Sequence, residues 1–154
     1  MAIEIERKFL VEEAPEWLSG CECEQISQGY LAVVEGEREV RLRRKGEDFL
    51  LTVKIGSGES RREREIRLHN GQLEALWHLT EGASLEKSRY LVPVGELTAE
   101  VDVYEGELEG LITAEVEFDS REQSEEFEPP EWFGRELTGD ERWANQSLAV
   151  HGRP

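Results

Sequence analysis

The stretch AIEIERKFLV, residues 2–11, decides how the rest of the chain is read. In an extended chain successive side chains point to opposite sides, so Glu4, Glu6 and Lys8 share one face while Ile3, Ile5 and Phe9 share the other. An ordinary first strand would bury the apolar face and show the ionic one to water. Taken alone, the stretch fits that arrangement. The same pattern returns in strand after strand, however, and its repetition points the other way.

Outward from this stretch, residues 24–34 (EQISQGYLAVV), 39–45 (EVRLRRK), 49–56 (FLLTVKIG), 61–69 (RREREIRLH), 85–92, 98–104 and 112–118 read as strands, and 134–137 adds a last short one. Glu35-Gly36, Gly46-Glu47-Asp48 and the Gly-Ser-Gly-Glu-Ser loop at 56–60 separate them, the mark of antiparallel hairpins. A short helical turn is expected over 13–19. Asn70 is placed to cap a helix from Gly71 to Thr80 with Leu73, Leu76, Trp77 and Thr80 on one side. Ser120 with Gln123 predicts a capping box and a helix through Phe127, stopped by Pro129-Pro130. Asp140 is expected to cap a final helix through Val150. Eight or nine short strands without repeats or linkers predict one domain, residues 1–154, mostly β with a few covering helices. The expected architecture is a closed eight-stranded antiparallel β-barrel, because closure removes exposed edges.

The charged residues keep to one face of each strand. Arg41 and Arg43 alternate with Val40 and Leu42; Thr52 and Lys54 oppose Leu51, Val53 and Ile55; Glu63 and Glu65 share a face. Lys87 and Arg89 share another, together with Leu85 and Leu91. Glu100, Asp102 and Tyr104 oppose Val101 and Val103, and Glu115 and Glu117 oppose Ala114, Val116 and Phe118. One strand at a time, a greasy interior with a salt-bridged surface accounts for this. Two features count against it. Trp17, Leu73, Leu76, Trp77, Trp132, Phe133, Trp143 and Leu148 need an apolar surface to cover, which outward-pointing Ile, Val, Leu and Phe would supply. The signs are also segregated by strand, whereas surface pairing mixes them. An ionic lining costs several kcal/mol per desolvated group unless hydrated or paired. The interior is therefore expected to be wet and to hold an anionic, metal-binding ligand: carboxylates suit Mg²⁺ or Mn²⁺, while Arg and Lys grip phosphate oxygens. Polyphosphates fit that description.

Bulk properties limit the alternatives. With 18 Lys and Arg against 35 Asp and Glu, the formal charge is −17, so no nucleic-acid partner is expected, although the paired cations leave room for a local basic site. No stretch approaches a membrane span or a signal peptide, so a soluble, cytoplasmic protein is expected, with no membrane partner. Cys21 and Cys23 diverge in a strand and lack two further ligands for zinc, and His69, His78 and His151 show no metal spacing with them; the cysteines are read as incidental.

The order of these elements resembles a known family. Glu4-x-Glu6-x-Lys8 at the N-terminus, followed by Gln28-x-Tyr30-Leu31, Val40-Arg41-Leu42-Arg43, Thr52-x-Lys54, Arg62-Glu63-x-Glu65, Lys87-x-Arg89, Asp102-x-Tyr104 and Glu115-x-Glu117, is similar to the CYTH family, the triphosphate tunnel metalloenzymes. Residues 136–148 look like its closing strand and helix. The resemblance implies an eight-stranded antiparallel tunnel that binds a linear triphosphate with divalent metal, as monomer or homodimer. The opening resembles the compact bacterial inorganic triphosphatases, which implies metal-dependent hydrolysis of inorganic triphosphate to pyrophosphate and phosphate.

Carried onto this chain, the resemblance makes Arg41, Arg43, Lys54, Lys87 and Arg89 the phosphate ligands, with Lys8 nearer the reacting end. Glu4 and Glu6, with Glu115 or Glu117, would hold one Mg²⁺ (or Mn²⁺); Asp102 and Glu63 would bind a second that positions the attacking water. Lys8, Glu63 and Asp102 are thus the catalytic candidates, with Glu65 and Tyr30 standing behind the ligands. The alternatives are an adenylyl cyclase or a thiamine triphosphatase, with Tyr30, Trp17 or Trp143 stacking on a ring, or a non-catalytic polyphosphate- or nucleotide-binding module. A lipocalin-like binder would need the opposite alternation.

Overall fold

The alternating runs form eight strands in the computed structural model, which describes residues 4–56 and 62–154. They are β1 (Ile5–Leu10), β2 (Glu22–Val34), β3 (Arg38–Lys45), β4 (Asp48–Ile55), β5 (Arg62–Leu68), β6 (Ser84–Val94), β7 (Leu97–Tyr104) and β8 (Ile112–Phe118). All pair antiparallel in one sheet of order β1-β8-β7-β6-β2-β3-β4-β5. The expected Ile3, loop 57–60 and Arg61 lie outside the described residues.

The expected closed barrel is not formed. Among the described residues β1 and β5 are the two ends of the sheet and share no ladder. The reason lies at the second edge of β1, which is already occupied. Leu10 N–H donates to Arg135 O, Gly134 N–H to Leu10 O and Leu137 N–H to Lys8 O. Lys8 N–H donates to Thr138 Oγ1, and Phe9 bridges Glu136. The 134–137 segment is thus an edge cover rather than a ninth strand. The bidentate ion pair of Arg7 with Glu136 ties it down. Among the described residues no strand pairs with the outer edge of β5, which is exposed over Arg62–Arg67 and, Ile66 apart, ionic; such charged edges resist strand addition.

The apolar faces point away from the charged ones and are covered in two places. Phe9, Val11, Val92, Ala99, Val101, Ala114, Val116 and Phe118 form one cluster, covered by Leu18 and Phe133, with Ile5 packed against it. On the other half of the sheet, Leu42, Leu68 and Leu73 form another with Leu31, Phe49, Leu51, Leu76 and Trp77. There α1 (Asn70–Trp77) and a 3₁₀ turn (His78–Thr80) lie on the sheet. The cap of α1 is His69, boxed with Gln72, rather than the expected Asn70. Gly29 of β2 gives the 3₁₀ turn room, because a Cβ there would come within 2.5 Å of Thr80.

Two elements near the ends follow expectation in different degrees. α2 (Arg121–Glu126) starts at Ser120, whose hydroxyl accepts from Gln123 N–H at 3.1 Å, as the capping box predicted. The final helix is broken in two: Asp140 caps only a 3₁₀ turn, Glu141–Trp143, and α3 (Asn145–His151) follows after Ala144. Trp143 and Leu148 do not cover the outer surface. They pack with Leu10, Leu85, Tyr104, Leu108, Leu111 and Leu137. Leu10, Leu85 and Tyr104 share the parity of Lys8, Lys87 and Asp102, so this third cluster fills one end of the charged side of the sheet.

Candidate active site

Curling of the sheet brings distant strands onto one cavity of about 480 Å³. Glu6 and Lys8 of β1, Tyr30 of β2, Glu39 and Arg41 of β3, Lys54 of β4 and Glu115 of β8 line it, with residues 137–146 at one side. Its size suits a small polar ligand. Strand period and register together set much of the wall chemistry: Glu6, Lys8, Glu39, Arg41, Lys54 and Glu115 all come from the parity that carries the charges.

One part of the site, taking the cavity with the residues beside it, is cationic and short of counter-charge. Lys87 is wholly buried and donates to Asp102 Oδ2 at 2.8 Å, with its ammonium 5.5 Å from the Tyr104 ring centre. Arg89 donates to both Asp102 oxygens and pairs with Glu100 Oε2 at 2.6 Å. Two cations thus share one buried carboxylate. Burial opposes its charge, but Lys87 and Arg89 prevail and hold Asp102 down to about 2. Burial is also the leading influence on Lys87, and lowers its pKa despite Asp102. Arg41 is 8% exposed, and its Nε has no hydrogen-bond partner. A buried N–H left this way costs about 1–3 kcal/mol, which an arriving anion would relieve.

The other part is acidic. Glu6 lies opposite Glu117 and Lys8 opposite Glu115 across β1–β8, while Glu115 lies opposite Glu100 across β7–β8. Partial desolvation first, then Glu4, Glu100, Glu115 and Asp119, raise the Glu117 pKa. Like charges at cross-strand positions destabilise a sheet unless a cation intervenes. Lys8 donates to Trp143 O at 2.7 Å, and its pKa is lowered by burial against the pull of Glu115, Asp102 and Glu6.

The donor set fits a hard divalent cation: clustered carboxylate oxygens with mutual repulsion to relieve. Among the described residues no three Asp, Glu, His or Cys groups gather into a ready cage.

Of the residues singled out from sequence, Glu6, Lys8, Tyr30, Arg41, Lys54 and Glu115 line the cavity itself. Arg43, Lys87, Arg89 and Asp102 sit on the same parity beside it, and Glu117 pairs with Glu6. Glu4 adjoins this cluster through its influence on Glu117. Glu63 lies opposite Lys54 across β4–β5. Both Asp102 oxygens already accept from cations, Lys87 and Arg89. Glu65 accepts from Thr52 Oγ1 at 3.0 Å. Sequence reading gave no role to Glu100 or to Gln28; the first shares the charged parity of Asp102, the second that of Tyr30. Trp143, expected from sequence to cover the outer apolar surface or to stack on a ring, lines the cavity and packs with Leu10, Tyr104 and Leu137.

Residues 2–147 match the CYTH domain. The chain is 43% identical over 149 residues to an inorganic triphosphatase of Nitrosomonas europaea, covering 96% of this chain and 97% of that protein. It is 37% identical over 150 residues to an inorganic triphosphatase of Acetivibrio thermocellus, covering 96% and 94%. A crystal structure of an inorganic triphosphatase superposes with a TM-score of 0.79 at 38% identity, covering 100% of this chain and 99% of that one. With the ordered charged strands on one curled sheet, these likenesses carry a single conclusion: this chain belongs to the CYTH family.

Proposed function

We propose that the chain, residues 1–154 acting as one domain, is a metal-dependent inorganic triphosphatase that cleaves triphosphate to pyrophosphate and phosphate. The observation that carries this reading is the buried, unpartnered Arg41 Nε in a cavity with cations on one side and carboxylates on the other. A linear triphosphate offers both complements, oxygens for the cations and a chelated metal for the acids. The likeness to inorganic triphosphatases over nearly the whole chain supports the same substrate.

In this reading Arg41, Arg43, Lys54, Lys87 and Arg89 bind phosphate oxygens and offset the charge that builds during transfer. Lys8, fixed by the Trp143 carbonyl, supplies a further positive charge close to the acids. Glu4, Glu6, Glu115 and Glu117 would hold Mg²⁺, which when bound neutralises phosphate charge and lowers the pKa of water. Glu63 and Glu65, on the edge strand facing Lys54 and Thr52, orient those groups. The reading takes the protein to be cytoplasmic, monomeric or homodimeric, with a small-molecule partner.

The test is a panel of inorganic triphosphate, ATP and thiamine triphosphate with Mg²⁺, Mn²⁺ or Ca²⁺, scored for phosphate, pyrophosphate and cyclic nucleotide. Phosphate and pyrophosphate from triphosphate, with little ATP turnover, is the expected result. Glu6→Gln should abolish turnover with an unchanged circular dichroism spectrum. Cyclic AMP as main product, or near-wild-type hydrolysis by Glu6→Gln, contradicts the assignment.

A further inference from the structure

Arg43 is anchored differently from its neighbour Arg89. Whereas Arg89 is paired with two carboxylates, Arg43 directs its Nε and Nη2 to the amide oxygen of Gln28, at 3.2 and 2.9 Å. Gln28 is wholly buried, and its Nε2 donates to Tyr30 Oη at 2.9 Å. The amide orientation follows from chemistry: reversed, it would set NH₂ against a guanidinium that can only donate. Gln28 is held on both sides by cross-strand register, opposite Arg43 on β3 and Leu85 on β6.

A glutamate at this position would accept from Arg43 with the same geometry and a stronger bond. The difference is charge. Around Arg43 the other strong charges are mostly positive, and burial first, then Arg41 and Arg89, lower its pKa to about 10. A neutral anchor leaves that excess in place, at a cost to the empty protein and to the benefit of an incoming polyanion.

We propose that Gln28 is a positioning residue for the substrate, a buried neutral acceptor that aims the Arg43 guanidinium at a phosphate group without discharging it. This rests on the triphosphatase reading and adds a residue to it. The proposal separates geometry from charge, and two substitutions do the same. Gln28→Glu keeps the acceptor and adds a negative charge; Gln28→Met keeps neutrality and removes the acceptor.

Inorganic triphosphate binding is measured by calorimetry in chelator, alongside melting temperature and the kcat and KM of the metal-loaded enzyme. Gln28→Glu should hold or raise the melting temperature of the empty protein while weakening triphosphate at least tenfold and raising KM more than it lowers kcat. Gln28→Met should lower the melting temperature and weaken binding by a smaller factor. Wild-type affinity in Gln28→Glu overturns the proposal. So does a parallel loss of melting temperature, affinity and kcat in Gln28→Glu, which would mark Gln28 as packing alone. If the wild-type protein neither binds triphosphate in chelator nor cleaves it when metal-loaded, the triphosphatase reading falls, and the proposal with it.

Discussion

At the scale of single residues, the site is a set of groups held in charge states that suit a ligand more than the empty protein. Arg41→Ala should weaken triphosphate binding by an order of magnitude or more while changing stability little. Arg41 Nε has no hydrogen-bond partner to lose. A loss of several kcal/mol in urea unfolding would instead mark Arg41 as half of a structural pair. Asp102 is the opposite case. Its folded pKa of about 2 lies below the ordinary 3.8, so its ionised form favours the folded state. The stability it contributes is fully present above the ordinary carboxylate range and is lost as pH falls from about 4 through about 2. Asp102→Asn should cost about 3–5 kcal/mol at neutral pH, the usual penalty for breaking a buried pair, and flatten that acid limb. An unchanged acid limb would show that Lys87 and Arg89 find other partners.

At the scale of elements, strand periodicity was legible and edge pairing was not. Alternation in β3 and β4 separates Leu42 and Leu51 from Arg41, Arg43 and Lys54, and the structure puts the two sets on opposite faces. The bounds of β8 are those expected, because Ala114, Val116 and Phe118 admit only one register against the core. The segment 134–137 looked like another short strand, yet closure turns on its backbone hydrogen bonds to β1, which no side-chain pattern records. Gly134 is the point of contact: a Cβ there would sit 2.7 Å from Leu10 O. Gly134→Ala should therefore lower the melting temperature and speed amide exchange at Leu10 and Leu137. Unchanged exchange at both would show that the edge cover does not depend on that close approach. The seat of Trp143 and Leu148 was illegible for a related reason. Leu10 and Leu85 lie on the charged parity, and only the fold shows that they form an apolar floor for α3.

For the whole molecule, a strongly acidic protein with a cationic recess presents two opposing fields. At a distance the net charge of −17 repels triphosphate; within the cavity the arginines and lysines attract it. Salt screens exposed, long-range interactions before buried, short ones. Added salt should therefore raise the association rate of triphosphate in stopped flow, at fixed metal concentration, before it weakens binding. A rate that falls from the lowest salt onward would mean that the local cations govern approach as well as binding.

The central claim is that the sheet is turned with its ionic side inward, and that this side is where triphosphate is held. The most direct measurement is a crystal structure of the Glu6→Gln protein with inorganic triphosphate. Triphosphate is expected in the cavity between β1 and β3, with a phosphate oxygen accepting from Arg41 Nε. Triphosphate bound elsewhere, with Arg41 Nε still unpartnered, would contradict it.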